Sequence, residues 1–349
     1  MTTADGSVLG VTKIIDRGPN ATLWNLVFLG DGYRSDQMAQ YAADVLRVAN
    51  LLLGTAPFSS RQSVINVHRV DVTSTDSGAD DAVACGGPGT AVRTYFDSAF
   101  CNAGIRRLLV ANDGTAISVA DAQVPEWNAI LLIVNSMVYG GSGGAVAVFS
   151  LAAGAEEIAM HELGHSAFGL ADEYDCFRCD GLETDRNNHP AVEPAEPNVT
   201  VASTRTTIKW RSLIRATTPV PTTRNADCTR RDTQPSPVPV GTVGAFEGAH
   251  YFHCDAYRPE FRCRMRDLGQ PFCAVCQRRI RQVLPTRVPN VRELVSTVAI
   301  PRIVEAGLSP RTTGMSGPGA WVYQQSPPVG RVVASGSTVT LQLRTGPIP

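Results

Sequence analysis

The chain has 349 residues, 43% hydrophobic and 18% charged, and 31 basic side chains against 32 acidic ones leave a formal net charge of −1. That length exceeds an ordinary single domain, so two domains are expected, and the composition is that of a globular protein with material for a sizeable core. Near-zero charge removes the electrostatic reason to expect nucleic acid or an anionic membrane as partner, and no segment approaches the roughly 20 apolar residues of a membrane span.

The amino-terminal MTTADGSVLGVTKIID lacks the basic and apolar regions of a secretory signal, so either a signal has been removed or the protein is not exported by that route. LWNLVFLGDGYRSDQMAQYAADVLRVANLLL predicts an apolar strand, a turn at Gly30–Gly32 and an amphipathic helix with Ser35 as its N-cap. INVHRVDV alternates as a strand does, and STDSGADDAVACGGPGT reads as a solvated Gly- and Asp-rich loop without the spacing of an EF-hand, so calcium there is unsupported. IRRLLVAND and WNAILLIVN predict two further buried strands, and YGGSGGAVAVFSL predicts a glycine-loosened one. Residues 190–245 are rich in Pro, Thr, Ser and Arg and read mostly as loop. The order of strands and helices predicts an α/β sheet with a helix beneath it.

Nine cysteines contain two CxxC pairs, Cys176/Cys179 and Cys273/Cys276. A second zinc shared by both pairs would use a common knuckle device. The scattered spacing and odd total instead favour several disulfides and a spare thiol, by about two to one.

The chemistry lies in EEIAMHELGHSAFGLADEYD, residues 156–175. His161 and His165 stand four apart, so their rings share one helix face and can reach a single ion at a zinc bonding distance of roughly 2.0–2.1 Å. Glu162 is then placed to take the proton of a metal-bound water. The bare HExxH pattern arises by chance in a chain this long with odds on the order of one in a hundred, so its context matters. A catalytic zinc takes three protein ligands. In HExxHxxGxxH a glycine turns the chain back and the last ligand follows three residues later. Here Gly169 comes one residue late, and Asp172 keeps the interval from glycine to ligand. A carboxylate oxygen is an acceptable zinc ligand. Glu173 is the nearest rival to Asp172, and His189, His250 and His253 are more remote ones.

HELGHSAFGLADEY resembles the active-site segment of the bacterial immunoglobulin-A metallopeptidase family, a metzincin-like group. NLVFLGDGY, VYGGSGG and the segments FEGAHYF, YRPEFRCRMR and FCAVC are similar to other parts of that family, over roughly residues 22–285. The resemblance implies a secreted zinc endopeptidase, with Met265 in CRMRD as the Met-turn beneath the metal. An oxyanion donor is needed besides the metal, and Tyr251 and Tyr257, just before that turn, are the candidates. A substrate strand is expected to add along an edge near Gly140–Gly144. Nothing in these residues marks immunoglobulin A as the substrate.

In the tail, Val291, Leu294, Val298, Ile303 and Leu308 have roughly helical spacing with a stop at Gly307, and Pro301 predicts a kink or early break. A strand, a Pro-Gly turn and an alternating strand at 338–343 follow. VPNV, QQSPPVGRVV and GSTVTLQL resemble a PASTA domain over 288–345, which implies a cell-wall-associated appendage, some of which bind peptidoglycan while others are spacers. The expected organisation is a zincin or metzincin-like catalytic domain at 1–286, a twisted sheet plus the HExxH helix, followed by a small α+β PASTA-like domain at 288–345. The expected function is zinc-dependent cleavage of extracellular or envelope proteins. The alternatives are a cell-wall binding protein with an inert zincin domain, or a peptidase of cell-wall peptides.

Overall fold

The computed structural model describes residues 5–176 and 186–348. The frame of the larger unit is a six-stranded sheet. Its strands are β1 (Gly6–Ile15), β2 (Trp24–Asp31), β3 (Ile65–Ser74), β4 (Ala129–Val134), β5 (Gly141–Ser142) and β6 (Ala147–Ser150), in the order β1-β3-β2-β4-β6-β5. β3, β2, β4 and β6 run parallel, and the edge strands β1 and β5 are antiparallel to their neighbours.

Every residue of β2 and β4 is buried, which is why AILLIV carries no polar alternation. Side chains alternate between the faces, so Leu26, Phe28, Leu131 and Ile133 enter one core while Val27, Leu29, Ile130 and Leu132 enter the other. The first core is closed by α1 (Met38–Gly54) and α3 (Ala155–Phe168), the second by α2 (Asp113–Gln123). α1 buries Tyr41, Val45, Val48, Ala49 and Leu52 at intervals of three and four, a single helical stripe. Truncating Leu52, fully buried there, to alanine would cost about 2–5 kcal/mol.

Local readings of the sequence needed correction here. Ser35 does not cap α1: it opens a single 3-10 turn, Ser35–Gln37, and the helix begins at Met38. IRRLLVAND forms only isolated bridges, at Leu108 with Gly141 and Val110 with Ala99. Arg106 pairs with Asp81 of the Asp-rich loop, at 2.5 Å, and the segment meets the sheet only at the edge of β5. Within 190–245 the loop reading holds, with Trp210 as an anchor: it is fully buried and its indole N–H donates to Gly244 O at 2.7 Å.

Two disulfides, Cys85–Cys101 and Cys228–Cys254, pin loops to the body, and Cys176 is also disulfide-bonded. A zinc shared by both CxxC pairs is therefore ruled out on the Cys176 side; Cys179 lies outside the described residues. Cys263, Cys273 and Cys276 are free and buried.

The hairpin β7 (Phe246–Ala249) and β8 (Phe252–Arg258) and helix α4 (Ala274–Val283) complete the larger unit. The tail has its own core of Val288, Val291, Ala299, Ile303, Leu308, Val322, Val339, Leu341 and Leu343. It comprises α5 (Ser296–Glu305) and a three-stranded sheet of β10 (Ser309–Gly314), β11 (Trp321–Ser326) and β13 (Thr338–Arg344), ordered β10-β13-β11. Val291 and Leu294 precede α5, Val298 is 47% exposed, and Pro301 lies inside the helix. Within the tail β9 (Thr286–Arg287) pairs with β12 (Val332–Val333), and the tail docks on the body through Arg61, whose guanidinium donates to Thr286 Oγ1 and, at 3.0 Å, to Ala306 O.

Candidate metal centre and cleft

α3 follows β6 and carries His161, Glu162 and His165 across the bottom of the sheet. It ends at Gly169, which sits at φ 60°, ψ 41° and donates its N–H to His165 O at 3.0 Å, while Leu170 N reaches Gly164 O at 3.0 Å. A left-handed residue at that point reverses the chain with little steric cost only for glycine. The reversal returns Asp172 to the helix. His161 Nε2 and His165 Nε2 lie 3.1 Å apart, and Asp172 Oδ1 is 3.0 and 3.2 Å from them.

The outer nitrogens fix the ring states. His161 Nδ1 lies 3.0 Å from Arg264 O and His165 Nδ1 2.6 Å from Leu170 O. A carbonyl can only accept, so each Nδ1 carries the proton, and in the neutral rings both Nε2 lone pairs face Asp172. Asp172 Oδ1 is buried and has no hydrogen-bond partner. Three electron-rich atoms so placed require positive charge between them. Burial pulls the imidazoles toward the neutral state, yet the Asp172 carboxylate outweighs it and lifts both, His165 to about 9. For Asp172, burial acts upward, and the facing imidazoles hold it well below the usual carboxylate range. A bound cation would satisfy all three atoms at once. Two imidazole nitrogens and a carboxylate oxygen suit zinc, whose bonds of about 2.0–2.1 Å imply tetrahedral ligand separations of about 3.3 Å.

Tyr251 donates its hydroxyl to Asp172 Oδ2. Backbone bonds clamp the same segment, from His250 N to Asp172 O at 3.2 Å and from Tyr251 N to Tyr174 O at 3.0 Å. Met265 is fully buried under α3, where a Cβ added to Gly164 would lie 2.6 Å from its sulfur.

Glu162 is half-buried and faces a cleft lined also by Arg107, Tyr139, Gly141, Ile158 and Tyr174. Burial raises its pKa, with the neighbouring imidazoles opposing. Any side chain on Gly143 would collide with Glu162 Oε2, so this glycine leaves room for the carboxylate. The edge strand β5 borders the cleft, but Gly141 already pairs there, its N–H donating to Arg107 O at 3.1 Å. A larger cavity at the junction with the tail, lined by Arg61, Phe272, Arg281 and Glu305, holds none of these groups. Chemistry locates the site, not size.

The remaining sequence candidates fall elsewhere. Glu173 turns the opposite way, toward Asn198 and Cys276. His189 and His250 pair with each other at 2.9 Å, and His253 is buried apart from the cluster. Tyr257 is packed in the core with its hydroxyl on Glu247, 3.1 Å away, and is not among the residues that line the cleft. Tyr174 does line it, T-stacked on Tyr251 at 5.2 Å. Reading the sequence passed over Tyr174, although it stands two residues after Asp172.

The fold and site thus define a mixed α/β protein with a paired-histidine, carboxylate constellation at the floor of a cleft. A family model described as IgA Peptidase M64 matches residues 12–236 and 233–284, and a PASTA domain model matches residues 286–345. The chain belongs to the IgA Peptidase M64 family, and that membership marks it as a peptidase. No curated protein matches the chain closely enough to count as a relative.

Proposed function

We propose that the chain is a zinc-dependent endopeptidase of extracellular or envelope proteins, with His161, His165 and Asp172 as metal ligands and Glu162 as general base. The observation that carries this reading is the convergence of His161 Nε2, His165 Nε2 and the unpartnered Asp172 Oδ1 within 3.2 Å, beside the Glu162 cleft. When bound, zinc supplies polarisation of the scissile carbonyl and a water whose pKa falls toward roughly 7. The carboxylate of Glu162 accepts the proton of the attacking water and returns it to the leaving amine nitrogen. Its upward shift by burial brings it closer to the pKa that two-way transfer favours. Arg264 O and Leu170 O hold the rings in the tautomer that presents Nε2. Tyr251 donates its hydroxyl to Asp172, and Tyr174, on the cleft wall and stacked on Tyr251, joins it as a candidate oxyanion donor. Met265 forms the floor under α3, as the Met-turn of a metzincin-like fold would.

The test is Glu162→Gln on an unstructured protein substrate such as casein. Loss of about 10²–10⁴ in kcat with zinc content unchanged is expected. Undiminished cleavage would overturn the assignment.

The PASTA match supports a second reading for the tail, attachment to the cell wall, with division near 286–288 into a peptidase unit and a binding unit. Cell-wall peptides are then the substrate class to compare with proteins, and release of stem peptides from purified sacculi by the wild type but not by Glu162→Gln distinguishes the two.

A further inference from the structure

Behind the cleft, on the far side of the segment that carries Asp172, four more donors converge. Glu173, Cys263, Cys273 and Cys276 are all buried, and their ligand atoms lie within 4.8 Å of one another. Cys263 Sγ is 3.8 Å from Cys276 Sγ, and Glu173 Oε1 is 3.3 Å from Cys276 Sγ and 3.7 Å from Cys273 Sγ. A tetrahedral zinc with Zn–S bonds of about 2.3 Å spaces its sulfurs about 3.8 Å apart. The match is close.

Backbone N–H groups point at two of the sulfurs. Cys273 N–H donates to Cys263 Sγ at 3.2 Å and Cys276 N–H to Cys273 Sγ at 3.4 Å, from the first turn of α4, whose dipole attracts negative charge. Asn198 Nδ2 donates to Glu173 Oε1 at 2.9 Å and orients the carboxylate, while Glu173 Oε2 is buried with no hydrogen-bond partner. A disulfide between two of these cysteines would leave the third thiol and an orphaned carboxylate together in the core, a costly burial. Cysteines elsewhere in the same chain are paired, at Cys85–Cys101 and Cys228–Cys254. A cation satisfies the whole set.

We propose that Glu173, Cys263, Cys273 and Cys276 form a second, structural site that holds zinc in closed tetrahedral coordination by three sulfurs and one oxygen. With four protein donors it has no open position for water, as expected of a structural centre. It joins three segments: the irregular stretch of Asp172 and Glu173, the turn at Met265, and the start of α4. Glu173 N–H also donates to Met265 O at 2.7 Å, so the staple lies directly behind the carboxylate that faces His161 and His165. Its role is to position Asp172.

Zinc content by mass spectrometry and zinc-edge X-ray absorption, on full-length wild type and on the His161→Ala/His165→Ala double variant, test the proposal. The variant is expected to keep one zinc per chain with a sulfur shell at about 2.3 Å, and Cys273→Ser/Cys276→Ser to lose that shell. The wild-type spectrum carries the same sulfur distance, so a poorly folded variant does not remove the test. A wild-type protein whose zinc has only nitrogen and oxygen neighbours, or a zinc-free double variant with a disulfide among these cysteines, would overturn it. If the catalytic reading alone were wrong, the wild type would hold just the sulfur-bound zinc and the histidine variant would leave its content unchanged.

Discussion

Asp172 and Glu173 are neighbours in the chain with opposite surroundings. One faces two imidazoles across a cleft, and the other three thiols in the interior. Their side chains point to opposite sides, so a single short segment serves both clusters. Tyr251→Phe tests how firmly Asp172 is held. The ring stack on Tyr174 is kept, while the hydroxyl bond to Asp172 Oδ2 is lost. Loss of such an outer partner typically weakens metal affinity by about 10–100-fold, measurable by competition with a chromogenic chelator. Unchanged affinity would show that Tyr251 is packing alone. At this scale the shared helix face of His161 and His165 was legible, because a helix fixes its spacing locally. The return of Asp172 to the two histidines was legible through its interval from Gly169. Tyr257 was not: the direction of its hydroxyl depends on Glu247, brought close by pairing of β7 with β8. Nearness to Met265 in the chain carries no information about that. The Glu173 and Cys263 contacts escaped for a similar reason, since the cluster spans about a hundred residues of chain.

Among the elements, α3 and its terminal turn decide the site. Gly169 has open space where a Cβ would go, so its requirement is conformational and not steric crowding. Gly169→Ala should therefore cost roughly 1–2 kcal/mol through the left-handed backbone, while Gly169→Asn, better tolerated in that region, should cost less. Thermal melts of the two variants check the order, and an alanine variant as stable as wild type would contradict it. Strands β2, β4 and β6 were readable from their apolar runs because both faces of the sheet are covered. IRRLLVAND has a shorter apolar run between charged residues and meets the sheet only at its edge, through Leu108 and Gly141, while Arg106 pairs with Asp81. The helical spacing of the tail was misread in part: Val291 and Leu294 are core residues of the tail, buried or nearly so, but the helix starts only at Ser296.

At the scale of the molecule, the two units keep separate cores and meet through a few polar anchors. Arg61 is the chief one, buried and shared between Thr286 Oγ1 and Ala306 O. Arg287 adds bonds to Ser63 O at 3.1 Å and Arg17 O at 2.9 Å. Hydrogen bonds from a charged group contribute about 1.5–3 kcal/mol. Arg61→Ala should accordingly loosen the tail from the body, splitting a single calorimetric transition into two. One undivided transition at the wild-type temperature would contradict this. The existence of two units was readable from length and the change in pattern after residue 288, but the docking was not. Arginine in the sequence is equally at home on a solvated surface, and only the fold brings Arg61 to the tail. Among the described residues no helix is long and apolar enough to cross a membrane.

The most direct measurement is an anomalous difference map at the zinc edge from crystals grown without chelator. A peak is expected between His161 Nε2, His165 Nε2 and Asp172 Oδ1, about 2.0–2.2 Å from each, with the Glu162 carboxylate beside the remaining open position. Absence of a peak at that point, with the imidazoles turned apart, would contradict the proposed mechanism at its base.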